Sequence, residues 1–395
     1  MKTILYYFFI LFVPFVLLSQ KNTISNNDFM ADCPFLTKNQ NNDPVLCWVE
    51  GEKENTQMVY SISTNNGEGF EKNIYIQHTK GLSPHHESMP KIAFKSNGTI
   101  VAVFQKRVPT TNNRFAGAIY YTQSFDDGLN WTKPQYLHAD TTQGIGRSFF
   151  DIAVLPDGEI GAIWLDGRKK RKDGSSLFFA KTKEKIGFQN EIEIAKKTCQ
   201  CCRTEIYVDQ QKNISISFRK IFKTNSLDNI RDMAYLVSGD NGKTFSKLKR
   251  VSEDNWVING CPHTGPTITS NNKQLDFFWF TMGNGEGVYH TIKKYGKNFQ
   301  PRKLINAHAR HPQASSLSNG KAVLVWDENF KTNTSYINRI GVMVCNTEKK
   351  ANYITPMTID ADHPVVLGLN KNKILVAWVQ FQNNKSEIVT QLISF

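Results

Sequence analysis

No stretch of this sequence shows the 3.6-residue spacing of apolar side chains that marks an amphipathic helix. The signatures of a helix-turn-helix, a zinc finger or an RNA-binding module are also absent. This argues against a nucleic-acid partner in spite of a net charge of +13. After the first twenty residues, no apolar run is long enough to span a membrane. What is present is an ordinary globular composition, with 40% hydrophobic and 21% charged residues.

The amino terminus has the layout of a secretory signal. Lys2 precedes an apolar run over Ile4–Leu18, which is short for a membrane span and is interrupted by Pro14. No cysteine stands directly after the run, so lipoprotein attachment is not expected. We therefore predict a signal peptide over residues 1–20 and a single domain over residues 21–395, in a secreted, periplasmic or cell-surface protein.

A short pattern, Ser-x-Asp-x-Gly-x-x-aromatic, recurs along the chain. It is intact at Ser124–Trp131 and at Ser238–Phe245, and the copy at Ser63–Phe70 has Asn65 in place of the aspartate. The copies begin 61 and 114 residues apart, and 114 is twice 57, which indicates a repeat architecture. Aspartate and glycine suit a tight turn whose carboxylate accepts backbone N–H bonds. The pattern therefore predicts a structural turn and not a catalytic element.

Seven units of the sequence each contain two strand-like segments around a turn. Two further strand-like segments flank the Ser-x-Asp turn that follows, so each repeat has four short strands. Four strands to a repeat, with no helical pattern, predict an all-β fold: a β-propeller of four-stranded blades. Seven blades are favoured, and six remain the alternative if the terminal pieces combine. The last unit stops after its third strand, so we expect residues around Thr23–Ser25 to supply the fourth and close the ring. The units are Pro34–Val49, Pro90–Phe104, Asp151–Trp164, Thr204–Phe218, Pro266–Trp279, Pro312–Trp326 and Pro364–Trp378.

With these turns, the chain resembles the Asp-box (BNR-repeat) sialidase superfamily over nearly all of its length after residue 20. Four segments also resemble a subgroup of exported sialidase-like proteins, and the resemblance implies membership without a known reaction. The fold and the basic charge together suggest that the protein acts on or binds an anionic extracellular glycan or a small-molecule ligand. The segments are Trp164–Arg168, the Cys-x-Cys-Cys-Arg run Cys199–Arg203, Ile230–Asp232, and Trp256–Pro266 with its Gly-Cys-Pro-x-x-Gly-Pro end.

A sialidase needs three arginines for the substrate carboxylate, a Tyr–Glu pair and an aspartate as acid/base. The resemblance makes Asp166 and Asp232 the candidate catalytic acids, with Asp327 as a further one. The family's Phe-Arg-Ile-Pro opening is absent and no tyrosine has an obvious nucleophile position, so true exo-sialidase activity is not expected. Five arginines are candidate substrate ligands, with loop ion pairs as the alternative role: Arg168, Arg203, Arg219, Arg231 and Arg310.

In a propeller, the loops before the first strand and after the second strand of each blade share one face, here called the channel face. Six of the nine histidines and five of the seven cysteines fall in these loops, so this face is our candidate site. A cluster on it consists of Cys199, Cys201, Cys202, Cys261 and His263. Three interpretations stay open: disulfides, which export favours; a soft-metal site for copper or zinc; and a redox-active thiol pair.

Overall fold

The computed structural model describes residues 17–18, 21–169, 174–332, 335–345 and 351–395. The predicted signal peptide lies outside these residues, except for the backbone of Leu17–Leu18. The described chain consists of strands, turns and two short 3-10 helices, Lys53–Asn55 and His86–Ser88. No helix in that part of the chain is long and apolar enough to cross a membrane.

The strands of the described residues pair almost throughout in antiparallel hairpins. They are, in chain order, β1 (Leu17–Leu18), β2 (Asn22–Thr23), β3 (Ala31–Lys38), β4 (Pro44–Glu50), β5 (Gln57–Ile62), β6 (Ile74–Tyr75), β7 (Lys91–Phe94), β8 (Ile100–Arg107), β9 (Gly117–Ser124), β10 (Gln135–Tyr136), β11 (Arg147–Val154), β12 (Ile160–Asp166), β13 (Ser175–Lys183), β14 (Gly187–Thr198), β15 (Glu205–Val208), β16 (Ile214–Phe222), β17 (Ile230–Ser238), β18 (Lys249–Arg250), β19 (Thr267–Ser270), β20 (Gln274–Thr281), β21 (Gly287–Lys294), β22 (Lys303–Asn306), β23 (Ala309–Ser316), β24 (Ala322–Lys331), β25 (Tyr336–Val344), β26 (Asn352–Tyr353), β27 (Asp360–Gly368), β28 (Lys373–Gln382) and β29 (Lys385–Ser394).

The sheets share one plan, in which four strands follow one another from a first strand outward. The groups β3–β6, β7–β10, β19–β22 and β23–β26 are separate four-stranded sheets. A single pair, Thr198 with Lys220, joins β11–β14 to β15–β18 in one eight-stranded sheet. The first strands β3, β7, β11, β15, β19, β23 and β27 contact one another in a closed ring. The prediction of an all-β fold of four-stranded antiparallel sheets is confirmed, and the hairpins lie where the seven sequence units place them.

The ring closes through the amino-terminal segment. Strand β2 pairs with the last strand, β29, and the Ile24 amide donates to the Ile388 carbonyl over 2.9 Å. The Ile388 amide in turn donates to Ser25 Oγ over 3.0 Å. The predicted closure by residues around Thr23–Ser25 is confirmed. It covers a hydrogen-bonding edge that would otherwise be open.

The recurring Ser-x-Asp-x-Gly pattern ties the turn between a third and a fourth strand. Ser124 Oγ donates to Asp126 Oδ1, and the Gly128 and Asn130 amides donate to Ser124 Oγ and Asp126 Oδ1, each over 2.9 Å. The other two copies repeat these bonds, with the amide oxygen of Asn65 in place of a carboxylate oxygen in one. The carboxylates are therefore used by the turn itself.

A large aromatic side chain is fully buried near the end of each second strand. Each one packs between neighbouring sheets, and burying a side chain of this size contributes about 1.5–3 kcal/mol. This periodic burial explains why the sequence units end near an aromatic residue. The residues are Trp48, Phe104, Trp164, Phe218, Trp279, Trp326 and Trp378.

Replacement of Ser25 tests the importance of the closure. In Ser25→Ala the buried Ile388 amide loses its acceptor, which costs about 1–3 kcal/mol in the free energy of unfolding. Urea unfolding should show this loss, whereas Ser226→Ala at an exposed site should stay within about 0.5 kcal/mol of the wild type. Equal stabilities of the two variants would show that the closing hydrogen bond is unimportant.

Candidate functional site

Four first strands carry a β-bulge near their start, and one residue of each bulge belongs to the channel face. At each bulge one residue has a left-handed backbone, a conformation that non-glycine residues rarely adopt. Because a bulge re-aims a side chain, the same position in four sheets supplies functional groups to one region. These residues are Cys33 in β3, Phe149 in β11, His311 in β23 and His363 in β27, with φ of 57°, 52°, 45° and 48°.

Three imidazoles stack where these loops meet. The ring centroid of His363 lies 3.9 Å from that of His86 and 4.2 Å from that of His311. Each imidazole has a carboxylate beside its Nδ1 atom, at 2.8–3.1 Å. We call these six residues the His–Asp cluster: His86 with Asp32, His311 with Asp327, and His363 with Asp362.

Several members of the His–Asp cluster have shifted pKa values. Burial disfavours the charged form of His311, but Asp327 outweighs this effect and raises the pKa of His311 to about 9. Burial, together with the charge of Asp327, raises the pKa of Asp362 to about 7. Burial and the neighbouring His311 hold the pKa of His363 well below its usual value. The cluster therefore combines one protonated imidazole with a neutral one.

Arg203 lies beneath this cluster and is almost fully buried. Its guanidinium pairs with Glu87 at 3.2 Å and donates to the carbonyls of Pro266 and Pro312 at 3.2 and 2.9 Å. Gly265 is required beside it, because a Cβ there would lie 2.5 Å from the Arg203 carbonyl oxygen. Arg203 thus holds loops of different sheets together, and the predicted role as a substrate ligand is not supported by its burial.

The five predicted cysteine and histidine ligands do come together, and we call them the sulfur cluster. Cys199 Sγ lies 3.3 Å from Cys202 Sγ and 3.8 Å from Cys201 Sγ. The ligand atoms of Cys201, Cys261 and His263 form a second group within 4.8 Å of one another. Cys201 is common to both groups. All seven cysteines are described and unbonded in this structure.

The sulfur cluster contains one strongly acidic thiol. Hydrogen bonds from Cys201 and Cys202, together with the charge of Arg231, lower the pKa of Cys199 far below that of a free thiol. Arg231 Nη1 donates to Cys199 Sγ over 3.2 Å. Burial raises the pKa of Cys202 to about 12. The arrangement is one thiolate held by two thiols and a guanidinium, as suits a soft-metal ligand or a redox-active sulfur.

A cleft of about 1010 Å³ opens beside the sulfur cluster, with Cys201, Cys261 and His263 at one end. Its wall includes amide and cationic side chains and the ring of Phe149. Among the described residues that line it there is no aspartate or glutamate. The amide side chains are Gln105, Asn112, Asn113, Gln143 and Gln200, and the cationic ones are Lys106, Arg107 and Arg147, of which Arg147 is paired with Asp140 and Asp166.

The other predicted arginine ligands are bound to partners within the protein. Arg168 pairs with Asp166 and Glu191, and Arg219 is buried and donates to the carbonyls of Arg231 and Phe280. Arg310 is exposed and pairs with Glu286 at 3.2 Å. Three arginines that converge on one carboxylate, as sialidase chemistry requires, are not found among the predicted five.

The predicted catalytic acids are both inaccessible to solvent. Asp166 accepts hydrogen bonds from Arg147, Arg168 and Trp164, and Arg168 lowers its pKa against the effect of burial. Asp232 pairs with Arg250 and accepts from the Trp256 amide. Both carboxylates stabilise the ends of strands in this arrangement.

Ionisable side chains also link neighbouring first strands. Lys91 Nζ in β7 lies 3.6 Å from Asp151 in β11, and Glu205 in β15 accepts from the Ile268 amide in β19. Burial, with the charge of Asp151, raises the pKa of Glu205 to about 8. Glu205 is therefore largely protonated at neutral pH.

Comparison with known proteins places the fold but not the activity. No protein-family model matches the chain, and no curated protein sequence matches it. A protein of unknown function from Dyadobacter fermentans superposes with a TM-score of 0.55 at 14% identity, covering 97% of this chain and 100% of that one.

Two solved glycan-acting enzymes are also similar in structure. The GH93 α-L-arabinofuranosidase of Fusarium graminearum has a TM-score of 0.54 at 9% identity and covers 96% of this chain and 98% of its own. The K499G mutant of the NanB sialidase from Streptococcus pneumoniae has a TM-score of 0.50 at 10% identity, over 96% and 70%. At such identities the likeness shows the fold alone, which is the β-propeller.

The positions of the histidines in the sequence predict one shared face but not their grouping with Asp32, Asp327 and Asp362. A signal for this grouping exists in the sequence. The triplets Asp32-Cys-Pro34, Arg310-His-Pro312 and Asp362-His-Pro364 each put a metal-ligand type of residue directly before a proline at the bulge. Alignment of the seven units on these prolines would have revealed the repetition.

The raised pKa of Glu205 predicts a pH-dependent stability. Its folded value, near 8, lies above the ordinary 4.5, so its contribution is complete below pH 4.5 and is lost as the pH rises toward 8. Glu205→Gln should remove this loss. The free energy of unfolding of wild type minus that of the variant should fall by about 3 kcal/mol between pH 5 and pH 8. A difference independent of pH in urea unfolding would contradict the assignment.

Proposed function

We propose that this protein is an exported propeller that binds an anionic extracellular glycan in the cleft beside the sulfur cluster. The observation that carries the proposal is the lining of the cleft, which has cationic and amide side chains and, in its described part, no carboxylate. Amides donate to and accept from sugar hydroxyl groups, and cations pair with acidic substituents. A volume of about 1010 Å³ suits a ligand of several sugar units.

Binding accounts for the cleft better than glycoside hydrolysis. Hydrolysis by the usual routes needs a pair of carboxylates, or a tyrosine with a glutamate and an aspartate, at the scissile bond. The cleft offers Arg107 and Lys106 but no acid in its described part, and Asp166 and Asp232 are buried. The glycan-acting neighbours support a carbohydrate ligand at the level of the fold.

We further infer a seven-bladed Asp-box propeller of the exported sialidase-like subgroup. The closed ring of first strands and the repeated turn bonds support seven blades. The close approach of Gly265 to Arg203 gives a physical reason for the Gly-Cys-Pro-x-x-Gly-Pro segment. A single domain over residues 21–395 and export through the signal at residues 1–20 complete this proposal.

Arg107 provides the sharpest test of glycan binding, because it is exposed and lines the cleft. Arg107→Gln should weaken binding of an acidic oligosaccharide about tenfold, the value of one charge-assisted contact. Lys297→Gln removes the same charge from an exposed site outside the cleft and should leave the Kd unchanged. The measurement is a glycan array of sialylated, uronate-containing and sulfated sugars, followed by titration calorimetry.

An absence of binding to every acidic glycan on the array would refute the proposal. Equal weakening in both variants would show a non-specific charge effect and would also count against the cleft.

A second candidate function is soft-metal binding or redox chemistry at the sulfur cluster. The specific observation is the position of Cys201, which belongs to both ligand groups of the cluster. Thiolates and an imidazole together suit copper(I) or zinc. Disulfide formation among the same cysteines remains the competing structural role, because Cys199 Sγ and Cys202 Sγ lie only 3.3 Å apart.

Cys201→Ser separates these roles. If the cluster holds copper(I), the variant should lose affinity by at least about tenfold in a competition with a chelator, because it removes a ligand of both groups. Cys345→Ala, a buried cysteine outside the cluster, is the matched control. If the wild type has no disulfide, thiol titration after denaturation should detect seven reactive thiols. A wild type that binds no metal and has about three free thiols would instead establish two disulfides.

A further inference from the structure

The His–Asp cluster is a second group of metal-ligand side chains, separate from the sulfur cluster. His86, Asp362 and His363 place one ligand atom each within 4.8 Å of one another, and His311, Asp327 and His363 do the same. We propose that this cluster binds a divalent metal ion with nitrogen and oxygen ligands, with zinc as the best fit. Mixed imidazole and carboxylate donors are typical of zinc and other first-row ions, whereas calcium and magnesium prefer oxygen alone.

The charge of the cluster calls for a cation. The carboxylates of Asp32, Glu87, Asp327 and Asp362 meet here, and the neighbouring guanidinium is that of Arg203. Four acidic side chains therefore lie around one permanently charged guanidinium. Acidic side chains crowded in a largely buried place repel one another, and a divalent ion between them offsets this repulsion.

The distances between the donor atoms also fit a shared ion. Asp362 Oδ1 lies 3.0 Å from His363 Nδ1, and His86 Nδ1 lies 3.1 Å from Asp32 Oδ1. Neither pair has the alignment of a hydrogen bond, and Asp362 Oδ1, His363 Nδ1 and His86 Nδ1 are buried without another partner in the structure. Two ligands of a tetrahedral zinc ion, each about 2.0–2.1 Å from the metal, lie roughly 3.3 Å apart.

Asp327 acts as an orienting residue for the site. It holds His311 Nδ1 at 2.8 Å and accepts from the His363 backbone amide at 3.0 Å. A carboxylate on one ring nitrogen fixes the tautomer and leaves Nε2 as the nitrogen available to a metal. The same residue therefore positions two of the three imidazoles.

The two clusters differ in donor chemistry although they are close. His85 Nε2 lies 3.3 Å from His263 Nδ1 of the sulfur cluster, and His85 precedes His86 in the chain. Sulfur donors select copper(I), and the nitrogen and oxygen donors of the His–Asp cluster select a harder ion. Zinc binding at the His–Asp cluster does not depend on glycan binding in the cleft.

The experiment uses the protein from residue 21 onward with Cys201→Ser, which disables the sulfur cluster. Zinc alone is titrated by calorimetry, and the metal content is measured after dialysis. The added variants are His86→Ala and His363→Asn, the latter because asparagine tolerates the φ of 48° at this position. Each should lose one equivalent of zinc or at least about tenfold in affinity. His78→Asn, at an exposed histidine with φ of 66°, should retain the zinc stoichiometry and the affinity of the parent protein.

The absorption spectrum of bound cobalt(II) provides a second readout, which would not respond to the residues of the cluster if their role were only structural. The Cys201→Ser protein should show ligand-field bands without thiolate-to-metal charge transfer, and His86→Ala should abolish them. If Cys201→Ser binds no zinc, or if both cluster variants retain a full equivalent, the proposal is overturned. Because His86 lies in a short 3-10 turn with negative φ, its variant keeps the test valid should His363→Asn fail to fold. Acidic-glycan titration of the same wild type reports the cleft separately.

Discussion

One buried guanidinium holds the channel face together. Arg203 joins Glu87, which precedes β7, to the carbonyls of Pro266 and Pro312, which lie at β19 and β23. Because these partners belong to three other sheets, Arg203 fixes the relative height of the loops that carry the histidines. Removing one partner of such a buried pair costs about 3–5 kcal/mol, since the other charge stays buried without compensation. The geometry of the His–Asp cluster therefore depends on an interaction that never touches a ligand.

The fold was largely predictable from the sequence because its signals are local. Turn residues such as Asn97-Gly98 and Asp157-Gly158 stand between short apolar runs, and the hairpins follow from them. Even the closure by residues near Thr23 follows from counting strands in the last unit. The roles of the arginines were not predictable in this way. Their partners are carbonyls and carboxylates as much as 116 residues away, which no local pattern reports.

The charges of the channel face are sorted into two regions. The described lining of the cleft holds Lys106 and Arg107 without an acid, and its third cation, Arg147, is paired with Asp140 and Asp166 behind the lining. Other carboxylates gather around the stacked imidazoles. A hydrolase of the common kinds needs its acids where the sugar lies. In this chain, carboxylates lie beside the stacked imidazoles, and the described lining of the cleft has none. Fold likeness to glycosidases therefore gives no reaction.

The bulges show how the fold presents such different groups from one position. Cys33, Phe149, His311 and His363 occupy equivalent bulges, and only the side chain changes from a thiol to a ring to an imidazole. A left-handed backbone at a residue other than glycine is strained, and it persists only where the surroundings hold it. In three cases a proline follows, which further restricts the residue before it. Three of these four residues are cysteine or histidine, so the strained position holds potential ligand side chains at the start of a first strand.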